Sequence, residues 1–229
     1  MATNVHGVYC VPHSSHGRPA AQAVLAGQVW EPDTIAFLVE HATADVIHAG
    51  TYFGDFLPAL DRAVPPDGRV WAFEPNPENH RCASITVALN GATSTRLHHA
   101  GVGARASTAR LEVVDERGVP LGGGSRLVPD TRGNGTAVDI DVVAIDDVVP
   151  TDRVVSVIQL DVEGYEREAL TGAMATIERC RPVLVVEQLD DVWLDEHLAP
   201  LGYRETGPGL HGNRVFAVEA ERRRPLPST

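Results

Sequence analysis

Lysine is missing altogether: all 19 basic residues are arginine, which points to a bacterial genome rich in G and C and carries no information about chemistry. Cysteine is scarce. Cys10, Cys82 and Cys180 are odd in number and form no C-x-x-C pair, so neither a disulfide framework nor a zinc knuckle is expected. Reduced thiols fit a reducing compartment. No apolar run approaches the roughly 18 residues of a membrane span, and MATNVHGVYCVPHSSHGR lacks the basic and apolar regions of a secretory signal. A cytoplasmic protein with no membrane partner is the expectation. Positive charge is also short, with a formal net charge of -12 that repels a phosphate backbone, so nucleic acid is not an expected partner.

What remains is a chain of 229 residues, 43% apolar, long enough to bury one sizeable core. Residues 1–30 read as an arm or lid, 31–220 as one domain and 221–229 as a polar, proline-containing tail. Pro32 after Glu31 suits the first turn of a helix over DTIAFLVEHA. From there short apolar runs alternate with amphipathic stretches: ADVIHAG and GDFLPALDRAV, RVWAFEP and PENHRCASITVALNG, TRLHHAGVG, VVSVIQLDV and GYEREALTGAMATIERC, PVLVVEQ and DVWLDEHLAPLG. Such alternation implies an α/β fold, a parallel sheet covered by helices on both faces. The segment TARLEVVDERGVPLGGGSRLVPDTRGNGTAVDIDVVAID reads as an inserted β-hairpin with a mobile tip. GYRETGPGLHGNRVFAV reads as two strands with a Gly/Pro loop between them, so that the sheet finishes antiparallel.

In an open parallel sheet the ligand crevice lies at the carboxyl ends of the strands. Gly50 and Gly54 sit there in VIHAGTYFGDF, and Glu74 ends the next strand 24 residues after Gly50. An acid at that place suits the hydroxyls of a ribose. Thr51 and Tyr52 stand where a dinucleotide fingerprint has its second glycine, so a nucleoside cofactor without phosphate suits the turn better than a pyrophosphate. S-adenosylmethionine is such a molecule, and its carboxylate would meet backbone N–H groups at the helix start. A plain glycine turn beside a surface glutamate is the competing reading.

VIHAGTYFGDF, WAFEPNPENH and VIQLDVEGYEREALTGAMATIERCRPVLVVE together resemble the FkbM family of S-adenosylmethionine-dependent O-methyltransferases, over about residues 35–190. The resemblance implies a Rossmann-like class I methyltransferase fold, a mostly parallel seven-stranded sheet whose last strand is antiparallel. It also implies methylation of a hydroxyl, often on a sugar or polyketide-type metabolite. Three departures stand out: His48 in place of the usual Asp, Thr51-Tyr52 in place of Ala-Asn, and Gln159 in place of Lys.

The residues expected at the cofactor are Gly50, Thr51, Tyr52, Gly54, Glu74, Pro75 and Asp161. Asp161, Glu187 and His48 are the candidates for chemistry. Asp161 is placed to accept a hydroxyl proton, with holding the cofactor's ammonium or capping the next helix as its alternative roles. Glu187 would orient the acceptor or pair with Asp161 on a divalent ion, although carboxylates alone identify no metal and none is assigned. Glu163 and Glu166 fall at a helix entrance where carboxylates are favoured structurally. His13 and His16, and His98 and His99, lack a matching ligand set elsewhere. Trp193 and His197 share a helix face and read as packing residues. Gly122 to Gly124 with Ser125 and Arg126 form either a wall over the acceptor or an ordinary hairpin tip, and Tyr52 and Tyr165 either touch ligand or serve as walls. A hydroxylated, sugar-like small molecule is the expected acceptor, and the arm would suit a homodimer contact. A nicotinamide-dependent oxidoreductase and a non-catalytic binding protein are the competing functions.

Overall fold

The strand Asp45–Ala49 is buried at all five positions, as a strand covered on both faces must be. Its side chains divide the interior in two. Ile47 and Ala49 join one apolar cluster with Ile158, Leu160, Leu170, Ile177 and Phe216, while Val46 joins the other with Leu38, Leu57, Leu60, Val70 and Val185. Each such aliphatic side chain stabilises the fold by about 1.5–3 kcal/mol on burial.

The computed structural model describes residues 1–128, 136–207 and 209–218. The expected tail at 221–229 lies outside these residues, as does part of the expected hairpin tip, 129–135. In chain order the elements are β1 Ala2–Asn4, β2 Gly7–Tyr9, α1 Pro19–Leu25, α2 Pro32–His41, β3 Asp45–Ala49, α3 Leu57–Ala63, β4 Val70–Phe73, α4 Pro77–Leu89 and β5 Thr95–His98. After them come β6 Gly101–Val102, β7 Ser107–Val114, β8 Arg126–Val128, β9 Thr136–Val143, α5 Ile145–Val148, β10 Val155–Leu160, α6 Glu166–Thr171, α7 Met174–Cys180, β11 Val183–Val186, α8 Asp191–Trp193, β12 Tyr203–Glu205 and β13 Arg214–Val218.

The seven-stranded sheet runs β12-β13-β11-β10-β3-β4-β5, parallel from β11 to β5, with β13 antiparallel to both its neighbours. The chain thus starts in the middle of the sheet, works outward to β5, then returns to β10 on the other side of β3. This reversal between β3 and β10 opens a crevice at their carboxyl ends. The antiparallel finish matches the sequence reading.

Two elements depart from that reading. The insertion is a separate four-stranded sheet, β6-β9-β7-β8, rather than a hairpin, because the chain leaves the main sheet after His98 and β6 pairs in parallel with β9. The stretch GYEREALTGAMATIERC forms two helices instead of one. They break at Gly172, where a Cβ would lie 2.0 Å from the Gly103 carbonyl oxygen, so the crossing of two backbones sets the boundary.

At the far end of β3 an ionic cluster ties the sheet together. Buried Asp45 accepts from Arg69 N (2.9 Å), Trp71 Nε1 (2.8 Å) and Arg153 Nε (2.8 Å), and also pairs with Arg153 Nη2. Residues 1–30 fold as the β1–β2 hairpin, a short turn at His13–Ser15 and α1. They pack on the body through Tyr9, Val11, Ala21 and Val24 against Tyr52, Phe53 and Cys82. Cys10 borders the same cluster, and all three cysteines are free thiols.

Candidate active site

Gly50 is required by backbone geometry. Its φ is +84°, and a Cβ would fall 1.8 Å from the carbonyl oxygen of Asp161, where the ends of β3 and β10 meet. The turn that follows consumes its own donors. Gly50 N and Thr51 N donate to the Phe73 carbonyl (3.1 and 3.2 Å), Tyr52 N to Glu74 Oε2 (2.7 Å) and Gly54 N to the Thr51 carbonyl (2.9 Å). The amides of Gly50, Thr51, Tyr52 and Gly54 are therefore engaged within the protein.

Glu74 is buried and holds the turn. Oε2 takes Tyr52 N, while Oε1 takes Asn76 N (2.8 Å) and Asn79 Nδ2 (3.4 Å). A carboxylate offers about four lone-pair sites, so one remains for a ligand hydroxyl rather than the two expected from the sequence. Burial pushes its pKa up to about 8 against the pull of those three donors. Asn76 caps α4 by accepting from Glu78 N and Asn79 N, and its side-chain amide donates to Ser125 Oγ (3.0 Å).

Two chambers open above this turn. The first, about 480 Å³, is largely apolar: Ala49, Phe73, Pro75, Val102, Leu111 and Leu127 line it, with Glu74 and Tyr165 at its wall. The second, about 820 Å³, carries Glu31, Asp55, Asp161, Glu163 and Glu187 together with Trp30, Tyr52 and Phe56. Gly50, Gly123, Asp161 and Glu163 line both, so the chambers adjoin. The turn at Gly122–Gly124 is not an exposed hairpin tip but lines this space, lying against Tyr52.

The acidic chamber is electrostatically strained. Asp161 sits far above the usual carboxylate range because burial removes its water and Glu187, Glu163 and Glu31 add their charges. Asp55 is pushed up to about 7, mainly by burial. Burial also raises Glu31 and Glu163. Such a set is complementary to a cation. Glu187 Oε2 and His48 Nε2 are buried without a hydrogen-bond partner among the described residues. His48 stacks on Phe56, with ring centroids 5.3 Å apart, and its Nδ1 bonds Gln159 Oε1. Burial lowers its pKa to about 4, so the imidazole is neutral near pH 7.

Asp161 does not cap the following helix. Glu166 organises that loop instead, accepting from Val162 N (3.1 Å) and Gly164 N (3.3 Å). Glu163, read from the sequence as a helix-entrance carboxylate, has φ +56° and lines the crevice. Of the other histidines the sequence singled out, His98 stacks on Phe73, His99 on His80 and His197 on Trp193, while His13 and His16 are exposed and tilted against each other. Among the described residues no group of three or more His, Cys, Asp or Glu is arranged to hold a metal, and no helix is long and apolar enough to cross a membrane. Sequence reasoning missed Glu31, Asp55, Trp30 and Arg18. Only Asp55, next to Gly54, carried a positional signal.

Residues 48–203 match the model of the methyltransferase FkbM domain. The chain belongs to the FkbM methyltransferase family. The crystal structure of an FkbM methyltransferase from Methylobacillus flagellatus KT is similar in fold, with 21% identity and a TM-score of 0.52, covering 77% of this chain and 44% of that one. The present chain thus spans less than half of that protein. An O-methyltransferase of tomaymycin synthesis from Streptomyces achromogenes, crystallised with SAM, shares 14% identity at a TM-score of 0.45, with 80% and 76% of the two chains covered. No curated protein matches the sequence. The class I, Rossmann-like architecture agrees with the strand order above. His48 and Gln159 are Cα partners in adjacent β3 and β10 and form a buried, neutral hydrogen-bonded pair.

Proposed function

We propose that this family member is an S-adenosylmethionine-dependent O-methyltransferase acting on a hydroxyl of a small, sugar-like molecule. The observation that carries this reading is the pair of adjoining chambers at the β3–β10 switch point, one apolar beside Glu74 and one rich in carboxylates around Asp161. In this reading the adenine base would lie in the apolar chamber, the remaining lone pair of Glu74 would take a ribose hydroxyl, and Glu163 and Glu187 would neutralise the ammonium of the amino acid end. Glu187 lies beside Asp161, its Oε2 buried without a geometric hydrogen-bond partner among the described residues, so a donor from a ligand would relieve the crowding of this pair. When bound, the cofactor supplies a methyl group on a sulfonium whose leaving group is a neutral thioether.

The chain's own residues then have to align and deprotonate. Trp30, Tyr52 and Phe56 offer flat faces to a sugar ring, and carboxylates are good acceptors for its hydroxyls. Asp161 is the base in this reading: in the ligand-free protein its raised pKa favours the protonated form, and a cationic ligand beside it would favour the ionised form, which is a stronger proton acceptor than an ordinary carboxylate. His48, held near 4, is a poor base and is assigned to shaping the acceptor chamber. Alignment contributes the larger share of the rate.

The reading is tested by transfer of a labelled methyl group from S-adenosylmethionine to a panel of hydroxylated sugars, with a thermal-shift comparison of S-adenosylhomocysteine and NAD alongside. Stabilisation by S-adenosylhomocysteine and label in an alkali-stable methyl ether are expected. Stabilisation by NAD alone would reject the reading in favour of an oxidoreductase.

A further inference from the structure

The carboxylates of the second chamber explain how a ligand's cationic groups are received, but the methyl donor proposed above also carries a carboxylate. The turn Gly50–Gly54, a strand-to-helix turn that could meet such a group, has committed four of its five N–H groups to Phe73, Glu74 and Thr51. An anion entering a wall of five carboxylates needs a cation beside it. Among the described residues, Arg18 is the one positively charged side chain lining either chamber.

Arg18 stands where the chambers meet. A Cβ on Gly124 would lie 2.8 Å from Arg18 Nη2 and 3.6 Å from Glu163 Oε1, and one on Gly122 would lie 3.2 Å from Arg18 Cγ. The stem therefore lies along the glycine turn and the guanidinium reaches toward Glu163. Its charge lowers the pKa of Glu163 against burial. Yet Arg18 makes neither an ion pair within 4 Å nor a side-chain hydrogen bond among the described residues, so its planar donor fork is uncommitted. Its backbone is fixed: Arg18 N donates to the Ser15 carbonyl (2.8 Å), and Arg18 caps α1 in an extended conformation ahead of Pro19. A guanidinium matches a carboxylate through two parallel N–H donors.

We infer that Arg18, presented by the N-terminal arm, anchors the carboxylate at the amino acid end of the methyl donor. The arm is then part of the cofactor site and not only a cover for the acceptor. This assignment rests on the methyl-donor reading, and the test separates the two. Titration calorimetry would measure S-adenosylhomocysteine and 5′-methylthioadenosine, which keeps the adenosine and the thioether but lacks the amino acid, against wild type, Arg18→Gln and Arg18→Lys. Loss of a charge-assisted pair predicts roughly ten- to hundred-fold weaker S-adenosylhomocysteine binding in Arg18→Gln, with methylthioadenosine affinity unchanged within about twofold and partial recovery in Arg18→Lys. Unchanged S-adenosylhomocysteine affinity in Arg18→Gln would overturn the assignment. So would equal weakening of both ligands, which would mean that Arg18 acts by folding the arm. Wild type that binds neither ligand would remove the methyl-donor reading itself, and the anchor with it.

Discussion

Gly50 and Asp161 show how one contact joins architecture to chemistry. Replacing Gly50 by Ala puts a methyl into the Asp161 carbonyl and forces an L residue to φ +84°, so Gly50→Ala is expected to lose roughly 2–4 kcal/mol in urea unfolding. Asp161→Asn removes a proton acceptor without changing shape. It should lower methyl-transfer turnover by about 10²–10⁴-fold while S-adenosylhomocysteine affinity stays within a few-fold, measured by label transfer and calorimetry. Unchanged turnover would return Asp161 to a positioning role. Gly50, Glu74 and Asp161 were legible in the sequence because their places at strand ends follow from periodicity alone. The commitments of their partners were not. Whether a turn amide is free or bonded to Phe73 depends on the neighbouring strand's register, which no local pattern encodes.

Strands and helices were read well where apolar runs were continuous and poorly where a backbone crossing set the boundary. β3, β4, β10 and β11 sit where the sequence placed them, because doubly covered strands leave no room for polar alternation. The helix break at Gly172 and the four-stranded insertion were hidden, since the first arises from contact with Gly103 and the second from a parallel pairing of β6 with β9. The arm was hidden likewise: its helix was visible, but nothing local showed that Arg18 would face the crevice. At this scale the Asp45 cluster makes a clean prediction. Asp45→Ala leaves Arg153 and two N–H donors without their acceptor, at the end of β3 remote from the crevice. It should reduce unfolding stability by about 3 kcal/mol or more with S-adenosylhomocysteine affinity unaltered, by urea unfolding and calorimetry respectively.

For the molecule as a whole, the buried carboxylates should set how stability varies with pH. Glu74 and Asp55 rise from 4.5 and 3.8 to about 8 and 7 on folding, and Asp161 rises as well. The folded chain therefore holds protons that the unfolded chain releases, so this contribution is complete below the unfolded values and is lost as pH rises through the folded ones. His48, lowered from 6.5 to about 4, acts in the opposite direction, but only below about pH 6.5. His6, His80 and His98, also lowered from 6.5, act with His48, so between pH 6.5 and 8.5 the raised carboxylates dominate and the melting temperature of the ligand-free protein should fall across that window. A flat or rising profile would mean that these groups are ionised in the fold.

The account turns on where an adenosine-bearing methyl donor sits. A crystal structure of the chain with S-adenosylhomocysteine measures this directly. The expected result is adenine in the apolar chamber beside Phe73 and Leu127, a ribose hydroxyl on Glu74 and the amino acid end toward Arg18 and Glu163. Density for the ligand at any other place, with Glu74 contacting only Tyr52, Asn76 and Asn79, would contradict it.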